Sequence, residues 1–219
     1  EGVPLYLVGG SLRAFALYAM HTRGWPLEDP HAFELAPQDA AGLSRELAEG
    51  KLDSAHLARV SSSRAATLPD ASALLGALIA QIAPSRIVSS SWGLREGLLF
   101  AGLEPDVQAL DPLLTGVSAF AERYSVDTMS ALRMAEWIVP LFGPGEARLR
   151  QASALLSLAA MRTEPNLRAE EATDWALRKR WIGLDARGRA LIAMAVLGAT
   201  GRVEPGREFA GLVPKAELR

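Results

Sequence analysis

Twice in its first half the chain runs from a short apolar segment of strand-forming residues into a glycine-bearing turn, and no comparable strand follows. The first case is Leu5-Tyr6-Leu7-Val8, then Gly9-Gly10-Ser11, then Leu12, Phe15, Ala16 and Ala19 at helical spacing. The second is Arg86-Ile87-Val88-Ser89-Ser90-Ser91 after Pro84, running into Trp92-Gly93-Leu94-Arg95-Glu96-Gly97. A strand that passes through a tight turn into a helix leaves the first helical N–H groups without intrahelical partners, aimed at one spot. That arrangement suits an anion. Ser11 is the expected N-cap of the first such helix.

The rest of the first half reads as connections and helices. Gly24, Pro26, Pro30 and Pro37 mark an extended loop. Two short helical segments are expected between Asp39 and Leu57, divided at Gly50. Ser61-Ser62-Ser63-Arg64 leads through Leu68-Pro69 into a helix from Ala71 to Ile82, apolar on nearly all faces and so expected to be buried. The pattern weakens between Asp106 and Gly116. Beyond it the expected helices lie near 116–124, 128–142, 145–161, 169–181 and 186–199, separated at Gly143-Pro144-Gly145, Pro165-Asn166 and Gly183. The helix near residue 150 should bury Leu149, Ala152, Leu156 and Ala159, and the tail from Gly201 reads as short β or irregular structure. The expected fold class is α+β, with domains at 1–112 and 113–219.

Charge agrees with a division. Residues 1–116 carry 8 Lys and Arg against 13 Asp and Glu, whereas residues 117–219 carry 15 against 12. The mildly basic second half can face a polyanion, but neither half has the Lys/Arg excess of a nucleic-acid binder. The absence of cysteine removes disulfides, thiolate ligands and cysteine nucleophiles. A cytoplasmic setting is the default expectation. The apolar run from Ala190 to Thr200 is interrupted by Gly198 and falls short of the ~20 residues of a membrane helix. With Glu1 in place of an initiator methionine and an apolar strand almost at once, the chain reads as cut from something longer.

The segments Leu7-Val8-Gly9-Gly10-Ser11-Leu12-Arg13-Ala14 and Trp92-Gly93-Leu94-Arg95-Glu96-Gly97-Leu98-Leu99, in that order, resemble the exopolyphosphatase/guanosine pentaphosphatase family. Arg64-Ala65-Ala66-Thr67-Leu68-Pro69 resembles that family's Arg-x-x-x-Leu-Pro stretch. Leu149 to Leu156, Pro165 to Glu170 and Gly183 to Arg189 are similar to the helical C-terminal domain of its alphaproteobacterial type. The resemblance implies the last part of an actin-like (ribonuclease H-like) ATPase domain followed by an all-helical domain related to the His-Asp phosphohydrolases. It further implies a parent enzyme that hydrolyses phosphoanhydrides of polyphosphate or guanosine pentaphosphate. Water would be the nucleophile, a glutamate the base and Mg²⁺ the neutralising ion.

The departures are equally informative. The family's two other glycine-rich phosphate loops and its catalytic glutamate do not occur in this sequence, so the chain by itself is expected to be inactive and to hold no metal tightly. Leu12-Arg13 replaces a common Gly-Thr, and the Arg13 guanidinium could pair with phosphate. Residues 117–219 contain no histidine, so the metal site of the His-Asp fold is not expected there.

Each feature also has a plainer reading. Gly9-Gly10-Ser11 can be a simple strand-to-helix turn, Arg95-Glu96 a structural ion pair near a helix start, and Arg64 a solvated charge. Their functional reading is a phosphate- or nucleotide-binding set of Gly9, Gly10, Ser11, Arg13, Arg64, Gly93, Arg95, Glu96 and Gly97, with no catalytic residue among them. His21, His31 and His56 lack ligand spacing and read as structural. Trp137, Trp175 and Trp181 read as core or interface anchors. Arg178-Lys179-Arg180 with Arg187 and Arg189 reads as a solvated face or as the lining of a polyphosphate path. Two rival functions stand beside the enzyme reading: a polyphosphate- or alarmone-binding or homodimerisation module without catalysis, and a metal-dependent phosphohydrolase working from the helical domain.

Overall fold

The computed structural model describes residues 2–139, 146–202, 209 and 211–213. The chain is α+β and divides into two compact units, Glu1–Gly102 and Leu103–Arg219. The division lies upstream of the expected 112/113 boundary, because a short helix, Pro105–Gln108, and the Asp111 cap that follows both belong to the second unit.

The first unit is built on strands β1 (Leu5–Leu7), β2 (Glu34–Leu35) and β3 (Ile87–Ser89), in the order β1-β3-β2. β1 and β3 run parallel, with Leu5 opposite Ile87 and Leu7 opposite Ser89. β2 pairs antiparallel with β3 and arises inside the proline-marked segment, where only a loop is expected from the sequence. Ile87 pairs with both Leu5 and Leu35, and Leu5, Leu7, Leu35 and Ile87 all belong to or pack on the core with Phe15, Leu47, Leu68 and Leu75. Tyr6, which alternates to the other face, is 55% exposed.

The core is completed by α1 (Gly10–Thr22), α2 (Pro37–Ala48) and α4 (Leu68–Ile82), with α2 packed closely on α4. Between them lie a 3-10 turn (Ser54–Leu57) and α3 (Ser62–Ala66), and α5 (Leu94–Ala101) ends the unit. Two local expectations are corrected. Ser11 lies inside α1, and Gly9 takes the N-cap position without a side-chain cap. α4 is not buried all round: it buries one stripe, Leu68, Ser72, Leu75 and Ile79, while Leu74 is 61% exposed. An all-apolar pattern can hide a one-sided helix, here because Ala73, Ala77 and Ala80 stand with Leu74 on the exposed face.

Among the described residues the second unit has no strand. Its helices are α6 (Pro105–Gln108), α7 (Pro112–Glu122), α8 (Thr128–Trp137), α9 (Ala147–Ala160), α10 (Arg168–Leu177) and α11 (Ala186–Ala199). The Gly143-Pro144-Gly145 break, the end of the helix expected to residue 142 and most of the tail lie outside the described residues. α9 packs against α7, α8, α10 and α11. Leu149, Ala152, Leu156 and Ala159 are buried as expected, and so are Ser153, Ala154, Leu155, Ser157 and Ala160, because small side chains let helices approach from several sides.

Of the expected core or interface anchors, Trp181 is buried with its Nε1–H donating to the Trp175 carbonyl at 2.8 Å, whereas Trp137 is 77% exposed and lies outside the core. One further expectation fails in this unit. Arg189 is not on a solvated face. It is 1% exposed, and Nη1 donates to the Leu177 carbonyl at 3.1 Å and the Lys179 carbonyl at 2.6 Å. These carbonyls lie at and just past the end of α10, where a helix cannot satisfy its own acceptors.

Candidate functional site

Both glycine turns leave from the same end of the sheet. β1 and β3 are parallel neighbours, so their C-terminal ends lie side by side, and pairing continues past β3 where Ser90 N–H donates to the Leu7 carbonyl at 2.9 Å. Crevices at the C-terminal ends of parallel strands are where ligands of open α/β sheets usually sit.

The first turn is set by Gly9, whose φ of 96° and ψ of 166° lie in a region that residues with a Cβ rarely adopt. It swings the chain from β1 into α1 and leaves the first-turn N–H groups without a side-chain cap. The Arg64 side chain, from α3, reaches over this helix start. A Cβ on Gly10 would overlap its guanidinium, and Nη1 donates to Ser11 Oγ at 3.3 Å. Arg13 is half-buried in the same first turn. Helix dipole, free N–H groups and guanidinium all favour an anion there.

The second turn abuts the first. A Cβ on Gly93 would stand 2.9 Å from Val8 Cγ1, so the close approach of the two turns needs a glycine. Gly93 is the N-cap of α5, and its N–H donates to Glu96 Oε2 at 2.8 Å. This N–H, then the backbone N–H of Glu96 itself, hold the Glu96 carboxyl below its ordinary pKa, and Arg95 adds to the effect. Arg95 is 86% exposed on its side chain and pairs with Glu96 Oε1 at 3.3 Å. The space beside Gly97 is open.

A polar group beside these turns was not singled out in the sequence. Ser91 Oγ donates to Asp29 Oδ1 at 2.7 Å and Ser91 N–H donates to His31 Nδ1 at 3.3 Å. His31 N–H also donates to Asp29 Oδ1, and Asp29 is buried. These bonds strap the loop before β2 onto the end of β3. The Asp-Pro-His run facing a serine triplet is the only hint in the sequence, and nothing local says that the two segments meet.

The residues present do not fit a dedicated magnesium site. Mg²⁺ wants oxygen ligands in an octahedron, Glu96 and Asp29 are already engaged by N–H and O–H donors, and among the described residues no group of three or more His, Cys, Asp or Glu is placed to hold a metal.

In the second unit the basic cluster is dispersed. Arg178 pairs with Asp174 at 3.0 Å and Arg187 with Glu146 at 2.6 Å, while Lys179 Nζ stands over the rings of Phe120 and Trp181. No family model matches the chain, and no curated protein matches it in sequence. Among the described residues no helix is long and apolar enough to cross a membrane.

Proposed function

We propose that this chain forms one wall of a phosphate-binding cleft in a phosphohydrolase of the exopolyphosphatase/guanosine pentaphosphatase type, acting on polyphosphate or guanosine pentaphosphate. The observation that carries the reading is the abutment of the two glycine turns at the ends of parallel β1 and β3, with Arg64 laid over the start of α1. The first-turn N–H groups of α1 and the guanidiniums of Arg64 and Arg13 bind and orient phosphate oxygens. Gly93 and Glu96 keep the second turn in shape. With no water-activating glutamate and no second phosphate cradle among these residues, the chain alone binds and does not turn over.

The test is a titration of the whole chain with tripolyphosphate at low salt, together with a phosphate-release assay. Arg64→Ala should weaken binding by about ten- to a hundredfold, the loss of one charge-assisted hydrogen bond of ~1.5–3 kcal/mol. Unchanged affinity in an Arg13→Ala/Arg64→Ala double variant would remove the reading. A second reading, a binding or homodimerisation module, is favoured by one observation: Leu94, Leu98 and Leu99 of α5 are all exposed. Concentration-dependent self-association lost on Leu98→Glu would support it.

A further inference from the structure

We infer that His21 and His56 form a bidentate site for a divalent transition-metal ion of the copper or nickel kind. His21 lies in the last turn of α1 and His56 in the 3-10 turn, 35 residues apart in sequence, yet their Nδ1 atoms are 2.9 Å apart. The ring centroids are 5.1 Å apart. With metal–nitrogen bonds of about 2.0–2.1 Å, two ring nitrogens at this separation subtend about 90° at an ion. That is the angle between neighbouring ligands of a square-planar or octahedral ion, and it is narrower than the ~109° of tetrahedral zinc. Imidazole ligands in tetragonal geometry favour Cu²⁺ or Ni²⁺. Water completes the coordination, because the pair is open to solvent.

The surroundings preset one of the two ligands. Asp53 Oδ1 accepts from Ala55 N–H at 2.9 Å, which anchors the carboxylate, and Oδ2 stands 3.8 Å from His56 Nε2. The carboxylate thus stands on the side of the His56 ring away from the pair, where carboxylate partners of metal-bound histidines are found. The buried Tyr18 fixes this arrangement: its hydroxyl accepts from Asp53 N–H at 3.1 Å and its ring meets His56 edge-on. Without an ion, one of the two Nδ1 atoms carries the hydrogen of this contact and the other accepts it. With an ion, both Nδ1 atoms present lone pairs, and the ring that carried its hydrogen on Nδ1 holds it on Nε2 instead.

The site is independent of the proposed phosphate cleft and is tested separately. The full chain is titrated with CuCl₂ and NiCl₂, with MgCl₂ as control, by calorimetry and by imidazole NMR at pH 7.5. The expected result is one ion per chain, with affinity reduced at least tenfold in both His21→Gln and His56→Gln and unchanged in His31→Gln. Amide spectra check that each variant folds, and either histidine variant alone carries the test should the other unfold. Wild-type affinity in a folded His21→Gln or His56→Gln chain, changes centred on His31, or no binding at millimolar Cu²⁺ would each overturn the inference.

Discussion

Two glycines in the paired turns should respond to alanine with opposite sign. Gly9 has φ 96° and ψ 166°, and an added Cβ would meet nothing within 4 Å. The whole cost of Gly9→Ala is therefore backbone strain, of order 1–3 kcal/mol for this region. Gly97 sits inside α5, and an added Cβ there also meets open space. Its helical backbone suits alanine, so Gly97→Ala should gain about 0.5–1 kcal/mol. Urea unfolding read by hydrogen exchange at the core amides of Phe15 and Ile87 reports on the first unit alone. With a slope of ~1–3 kcal/mol/M, Gly9→Ala should lower the midpoint by about 1 M and Gly97→Ala should raise it slightly. Equal stability of Gly9→Ala and the parent chain would show that the turn from β1 into α1 does not need the left-handed backbone.

Arg189→Met keeps the aliphatic stem but leaves the carbonyls of Leu177 and Lys179 without their buried donor. The cost is about 2–4 kcal/mol, two orphaned acceptors partly offset by no longer burying a charge; thermal unfolding followed by Trp175 and Trp181 fluorescence checks it, and no loss would mean that desolvation cancels the bonds. Asp127 caps α8, where bonds from the Ser130 hydroxyl and then the Ser130 N–H lower its pKa. A depressed carboxyl contributes stability above its unfolded pKa, and that contribution is lost as pH falls through the lower, folded value. The Ser130 amide resonance should therefore titrate with a midpoint below the ~3.9 of free Asp, and a midpoint at or above that value would refute the cap.

What was legible in the sequence was local. Leu5–Leu7 and Ile87–Ser89 announce themselves as short apolar runs ended by glycine, and α11 falls on the helix expected at 186–199 after the break at Gly183. The failures arise where a distant partner decides. Glu34–Leu35 has no strand signal of its own and becomes β2 only because β3 offers it a free edge. Arg189 looks solvated among basic neighbours, yet the open carbonyls at the end of α10 draw it inside.

The two proposed sites in the first unit differ in the mark they leave on the sequence. The turn site is partly visible because a glycine whose φ is positive, or whose neighbour comes within van der Waals contact, leaves its mark in the residue type itself, as at Gly9 and Gly93. The histidine pair leaves no such mark. His21 and His56 meet because α1 ends where the chain returns from α2 through the Asp53-capped turn, and packing of Tyr18 beneath Asp53 sets the distance between the imidazoles. Ligand spacing along a chain reveals a metal site only when one element carries both ligands. Where two elements each bring one, the geometry belongs to the core beneath them, so substitutions at Tyr18 should widen the Nδ1 separation and weaken Cu²⁺ binding even though Tyr18 never touches the ion.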